Sequence, residues 1–457
     1  MSTATAARVP SALRDGNDLY DLLGIPFSAE QLAAITAPME PGVIVAGAGS
    51  GKTTVMAARV VWLVGTGQVL ASQVLGLTFT NKAAAELGTA VRSRLQALAN
   101  PTGAEADPVV STYHAYAGGL QVEHGLRLGY EPDLRLVSDA SRYQLAARVV
   151  TSFTGAPRHL SVSLPRVVEQ VIRLDNELSD HLVDIDAVRA FDDNLRCELA
   201  RHDPVRDVRD AASASQARDE LLELVVAYRR AKAEAGVTEF ADQMAHAARL
   251  AERCPEVGAD ERDRFRVVLL DEYQDTSVSQ RRLLQGLFSG ATPASGRGHP
   301  VTAVGDPCQA IYGWRGATVD NVDEFPRHFP RADRTPAQRF EMTVSRRCGR
   351  AILAAANDVA AELYDTHHGA APLAPTDDAP VGAVRVSMHD TVADEVAAVV
   401  DTVDRLGRDL SAGRWSDIAV LVRDGNERAA LTAGLRRRGI PVEVVGLAGL
   451  LSQPEVG

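Results

Sequence analysis

Short apolar runs alternate with stretches of helical spacing along most of the chain. Val43–Ala46, Val74–Thr78, Val267–Leu270 and Val301–Val304 are apolar almost throughout. They are too short for helices, and each leads into a turn or a helix-like segment, so they are predicted as strands buried on both faces. That alternation predicts an α/β domain with a mainly parallel sheet. Ligands of such sheets sit beyond the carboxyl ends of the strands. From about residue 119 to 235 the pattern changes to Ala, Leu, Arg, Asp and Glu without strand-like runs, which predicts an all-α insertion. Gly290–Pro300 and Ala370–Pro380 are Pro-, Gly- and Ala-rich loops. Beyond them, Val384–Met388, a helix near Ala393–Leu406 and Ile418–Val422 are predicted to begin a second α/β unit.

Composition narrows the class. The chain has 457 residues, 46% hydrophobic and 24% charged, as in ordinary globular proteins. No apolar run is long enough to cross a bilayer, and Met1–Ala7 lacks a signal pattern, so a cytoplasmic location is expected. Cys197, Cys254, Cys308 and Cys348 form no C-x-x-C pair, which argues against a disulfide framework or a zinc site. The net charge of −12 confines any nucleic-acid contact to a local groove. Only three of the 48 basic residues are lysines: Lys52, Lys82 and Lys232. An ammonium is a compact point charge and a guanidinium a planar fork. Two of the three lysines fall within motifs that call for the ammonium.

The first motif is Ala46, Gly47, Ala48, Gly49, Ser50, Gly51, Lys52 and Thr53, between a predicted strand and a predicted helix. Its glycines let backbone N–H groups turn toward phosphates. Lys52 then reaches the β- and γ-phosphates, and Thr53 holds Mg²⁺. The second, Asp271-Glu272-Tyr273-Gln274-Asp275-Thr276, follows Val267–Leu270. A carboxylate there binds Mg²⁺ through water, and its neighbour polarises the attacking water. Either motif alone also fits an ordinary turn; both in order after predicted strands do not. The third, Val304–Ala317, carries the neutral amide of Gln309 and two aromatics, Tyr312 and Trp314. Aromatic faces stack single-stranded bases, although core packing is the ordinary use of such residues.

Together these motifs resemble those of superfamily 1 helicases of the UvrD/Rep/PcrA type, in that family's order. Phe27-Ser28-Ala29-Glu30-Gln31 resembles the adenine-reading Q motif, and Leu77–Glu86 resembles motif Ia. Thr112–Tyr116 resembles motif Ib. Glu239–Asp242 resembles a short DNA-contact motif, and Ser345–Cys348 resembles motif IV. The resemblance implies a RecA-like ATP-binding domain in two segments, 1–118 and 236–332, a helical insertion at 119–235 and part of a second RecA-like domain at 333–457. It implies that Gln31 and residues 46–53 bind ATP, that Asp271 supports Mg²⁺ and that Glu272 is the base. Gln309 would sense the γ-phosphate and Arg347 would act as an arginine finger. Phe79, Asn81, Lys82, Tyr113, His114, Phe240, Tyr312 and Trp314 would line the path of single-stranded DNA. Two positions depart from the pattern: Thr54 and Arg346 stand where the family has an Arg and a Tyr around the adenine. A guanidinium can also stack on a base. Several stretches, among them Val60–Val64 and Ser111–Ala117, look closer still to actinobacterial AdnB-like helicase–nuclease subunits, which implies a partner subunit.

The chain runs to Gly457 without the later family motifs. The expectation is a piece cut before motifs V and VI. Its function is then expected to be ATP-driven 3′–5′ movement on single-stranded DNA in repair or recombination. The alternative is an ATP- and strand-binding module with little turnover.

Overall fold

The structure, a computed structural model, describes residues 13–98, 107–155, 157–313, 316–318, 320–409, 414–423 and 425–445. The strands among them are β1 (Gly42–Ala46), β2 (Val74–Thr78), β3 (Val109–Thr112), β4 (Arg135–Leu136), β5 (Val237–Thr238), β6 (Val267–Leu270), β7 (Val301–Gly305), β8 (Gln338–Met342), β9 (Val344–Ser345) and β10 (Ala374–Pro375). Six of them make one sheet in the order β3-β2-β6-β7-β1-β8, with every pairing parallel.

Alternation along the strands explains the continuous apolar runs. Val43, Val45, Leu75, Leu77, Val268 and Leu270 enter one core, together with the helices Tyr113–His124, Phe240–Arg253 and Val278–Phe288. Ile44, Ala46, Val74, Val267 and Leu269 enter the opposite core, against the helices Lys52–Gly65 and Asn81–Leu95. A sheet covered by helices on both faces has no position at which a polar residue would be solvated.

The insertion consists of the helices Asp139–Ser152, Leu164–Asp180, Ile185–Leu199 and Arg206–Glu234 around their own core, which includes Val168, Val171, Leu222, Val225 and Tyr228. The short parallel pair β4–β5 joins its start to its end. Leu120 packs in the sheet's core, so the insertion's helices begin beyond β4 and not at 119.

Asp180, at the end of one insertion helix, is predicted to cost stability at neutral pH. Burial, helped by Glu177 and Asp242, pushes its carboxyl up to about 7. A carboxyl whose pKa is higher folded than unfolded favours the folded state in acid and loses that contribution as pH rises through the folded value. Asp180→Asn should therefore raise Tm. The gain should grow between pH 4 and pH 7 and stay level above, as thermal melts across that range will show. A gain independent of pH would exclude this origin.

The resemblance implies a second unit at 333–457, but β8 at 338–342 lies on the open edge of β1 and completes the first sheet. One compact unit extends to Gly382 and the other begins at Ala383. In the latter, the helices Val392–Asp409 and Gly425–Arg437 pack through Val400, Val403, Leu435 and Ile440. The runs 384–388 and 418–422, read above as strands, carry no ladder among the described residues. Val386, Met388 and Leu421 are more than 90% exposed. An extended run without a neighbour has nowhere to send its backbone hydrogen bonds except solvent.

Candidate active site

The site begins where β1 ends. Ala46 is the last residue of the strand, residues 47–51 form a tight loop, and Lys52 opens the next helix. Gly49 and Gly51 have φ of 78° and 92°, in the left-handed region that side chains disfavour. Gly49 is also needed for close approach. A Cβ there would lie 2.6 Å from the Ser345 Oγ and 2.7 Å from the Arg347 Cβ. The Arg346 N–H donates to the Gly49 carbonyl at 2.9 Å. The segment Ser345–Arg347 is thus docked on the loop 47–51, with the side chains of Arg346 and Arg347 exposed beside it. Glu30 secures that docking by accepting from the N–H and hydroxyl of Thr343 at 3.1 and 3.0 Å.

Gln31 is buried beneath the same loop. Its amide donates to the Ser50 carbonyl at 2.9 Å, and its oxygen accepts from the Ser28 N–H at 3.0 Å. The Arg346 guanidinium reaches that oxygen and the Pro26 carbonyl, both at 3.3 Å. Arg346 therefore meets the segment Pro26–Gln31. Thr54 is half-buried on the first turn of the helix, and Thr53 beside it is exposed. Gly47 and Ala48 are half-buried, and a Cβ on Gly47 would run into the Leu373 side chain.

The acidic pair follows β6. Asp271 continues the ladder by donating its N–H to the Leu77 carbonyl at 2.9 Å. Its carboxyl is buried, and burial followed by the neighbouring Glu272 pushes it up to about 6, against the pull of Lys52. Glu272 has φ of 49°, a strained backbone for a residue with a side chain, costing about 1–3 kcal/mol. The Lys52 Nζ stands 3.5 Å from the Glu272 carboxylate. Strain of this kind marks a side chain held where the chain would not otherwise place it.

Gln274 and Asp306 join the motifs to one another, and neither was assigned a role from the sequence. The Gln274 amide donates to Glu272 at 2.8 Å, and its oxygen accepts from the Asp306 N–H at 3.0 Å. Asp306 in turn accepts from the Gln309 side chain. A continuous path therefore runs from Glu272 to Gln309. Both residues lie inside the quoted motifs, but no spacing rule says that they touch.

The aromatics form two pairs. Phe79 and Tyr312 have ring centroids 4.7 Å apart, and His114 meets Phe240 edge-on at 5.3 Å. Phe240 is 53% exposed. Asn81 and Lys82 are exposed, Lys82 lying 3.9 Å from Glu86. Tyr113 corrects the expectation for its motif. It is 1% exposed, packed in the sheet's core, and burial pushes its phenol well up. Tyr113 opens a helix whose inner face carries it inward, so His114 alone of the two stands at the surface. Trp314 lies outside the described residues.

The family profile for the UvrD/REP helicase N-terminal domain matches residues 27–330. The ATP-dependent DNA helicase UvrD1 of Mycobacterium leprae is 31% identical over 436 residues, covering 91% of this chain and 49% of that protein. UvrD1 of Mycobacterium tuberculosis is 30% identical, covering 99% of the chain and 53% of that protein. DNA helicase II of Escherichia coli is 26% identical over 93% of the chain and 52% of its own length. The chain spans about half the length of these relatives.

Proposed function

The chain belongs to the UvrD/REP helicase family, and from that premise we propose that it binds ATP with Mg²⁺ and couples hydrolysis to movement along single-stranded DNA. The observation that carries the reading is the unbroken chain of contacts from Lys52, at the end of the loop 47–51, through Glu272 and Gln274 to Asp306 and Gln309. Backbone N–H groups of residues 47–51 and the Lys52 ammonium bind the β- and γ-phosphates. Thr53 and Asp271 offer the hydroxyl and carboxylate oxygens that suit Mg²⁺, which neutralises charge on the phosphates when bound. Glu272 takes the proton of the attacking water as its oxygen bonds to the γ-phosphorus and the bond to ADP breaks.

The paired aromatics supply stacking platforms, Phe79 directly after β2 and His114 just beyond β3 of the same sheet. Loss of the γ-phosphate at Gln309 alters the Asp306–Gln274 path, and Tyr312 lies three residues further along the same loop. The 3′–5′ direction, a role in DNA repair and a helicase–nuclease partner rest on the sequence likeness described above.

Steady-state ATP hydrolysis with and without single-stranded DNA tests this reading, together with strand affinity across a salt series. Stimulation of at least about tenfold is expected, with affinity falling as salt rises, because phosphate contacts release counterions. Equal turnover with and without the strand would leave an ATPase that uses no DNA. Binding of both ligands without turnover would leave a binding module.

A further inference from the structure

The seam between the helical insertion and the sheet domain holds a buried cluster of charges that the ATP site does not use. Lys232 lies in the last turn of the long helix Arg206–Glu234 with a side chain only 5% exposed. Its ammonium contacts Asp175 and Asp242 at 2.6 Å each and Glu239 at 3.5 Å. Asp175 belongs to the insertion helix Leu164–Asp180, and Asp242 to the core helix Phe240–Arg253. Glu239 caps the latter helix. Arg229 adds a 2.6 Å contact to Asp175, and Arg142 and the Tyr228 hydroxyl reach Glu239 at 3.4 and 2.5 Å. Three cations thus face three carboxylates. Burial alone lowers the pKa of an amine, but Asp175, Asp242 and Glu239 together outweigh it and hold Lys232 above its ordinary value.

A compact ammonium with three donors can meet three carboxylates arriving from different directions, where a planar guanidinium cannot. Lys232 is one of only three lysines in a chain otherwise furnished with arginine. The seam is not closely packed there. A cavity of about 290 Å³ opens beside the cluster, lined in part by Tyr130, Ser179, His246 and Arg249. Dispersion therefore cannot hold the two parts in register at that point, and a buried ion cluster contributes geometry more than stability.

Phe240 lies between the two core residues that Lys232 grips. Glu239 precedes it and Asp242 follows two residues later, the Asp242 carboxylate also accepting from the Glu239 N–H at 3.1 Å. We propose that Lys232 is a positioning residue that couples the helical insertion to Phe240, so that the insertion's placement sets the angle at which the Phe240–His114 pair meets a single strand. This rests on the strand-binding reading given above.

Hydrogen exchange at the backbone amides of 239–243 and single-strand affinity test it in Lys232→Met and Asp175→Asn. The second variant leaves the ammonium paired with Asp242 and Glu239 and frees only the insertion helix Leu164–Asp180 that braces it, so it keeps the test open should the first not fold. Faster exchange in both variants is expected, with strand Kd weakened about tenfold, the worth of roughly one stacked base. ATP affinity and exchange in the helix Lys52–Gly65 should not change. Unchanged exchange at 239–243 in Lys232→Met, or in Asp175→Asn should Lys232→Met not fold, overturns the proposal. So does unchanged affinity beside faster exchange. A wild-type chain that binds no single strand rejects the functional reading instead, and the exchange measurement then decides the coupling by itself.

Discussion

Glu272→Gln is expected to leave ATP bound while slowing its hydrolysis by roughly 10²–10⁴-fold, the usual contribution of a positioned general base. The substitution keeps the side chain's shape and an oxygen for the hydrogen bond from Gln274, and removes the capacity to accept a proton together with the charge that faces Lys52. Glu272 suits that task because its left-handed backbone and its contacts with Lys52 and Gln274 fix the carboxylate at the end of β6. The neutral amide also relieves the charge that helps push Asp271 up. ATP affinity is therefore expected to hold or improve, which separates a chemical defect from a binding one. Single-turnover hydrolysis beside equilibrium binding of a fluorescent ATP analogue checks both. A variant retaining more than about a tenth of wild-type turnover would fall outside the range of a lost base and move the assignment elsewhere. Asp275 is then the next candidate, a carboxyl that burial, with Glu272 close by, pushes up to about 6.

Arg347→Ala should lower kcat by about 10³-fold or more, with a smaller effect on ATP affinity, because an arginine finger acts on charge that develops in the transition state. The backbone geometry already favours that role. The Arg347 Cβ lies so near Gly49 that no side chain fits between them, and the adjacent N–H is hydrogen-bonded to the phosphate-binding loop. Arg347→Lys should recover little, since an ammonium cannot donate as a fork to two oxygens at once. Comparison of kcat and KM for the two variants distinguishes the possibilities. If KM rises tenfold or more while kcat is unchanged, Arg347 binds the ground state and the finger lies elsewhere.

The strand–loop–helix geometry of the glycine-rich motif was legible because it is local. A loop that cradles phosphates needs glycines at fixed offsets between a strand and a helix, and residues 46–53 carry that arrangement in consecutive positions. The continuous apolar runs identified four of the six strands of the sheet, since burial on both faces leaves its mark in every residue. β8 was harder to read: Gln338–Met342 is a mixed, partly exposed edge strand, and only its pairing with β1 assigns it to the first sheet. The runs 384–388 and 418–422 show the opposite failure, because apolar spacing records a tendency to be buried and supplies no partner.

Chain order and residue type determined the fold class, the phosphate loop, the acidic pair and the family to which the protein belongs, since each is written in a few adjacent residues. Tertiary structure alone decided which of two neighbouring aromatics turns inward, as Tyr113 does while His114 stays at the surface. It also decided that Gln274 and Asp306 connect the motifs, and that Lys232 ties Asp175 to Asp242 from 57 and 10 residues away. Contacts of that kind depend on where helices and strands come to rest against one another. The free energy that selects them is shared among the packed elements and is not legible at any single position.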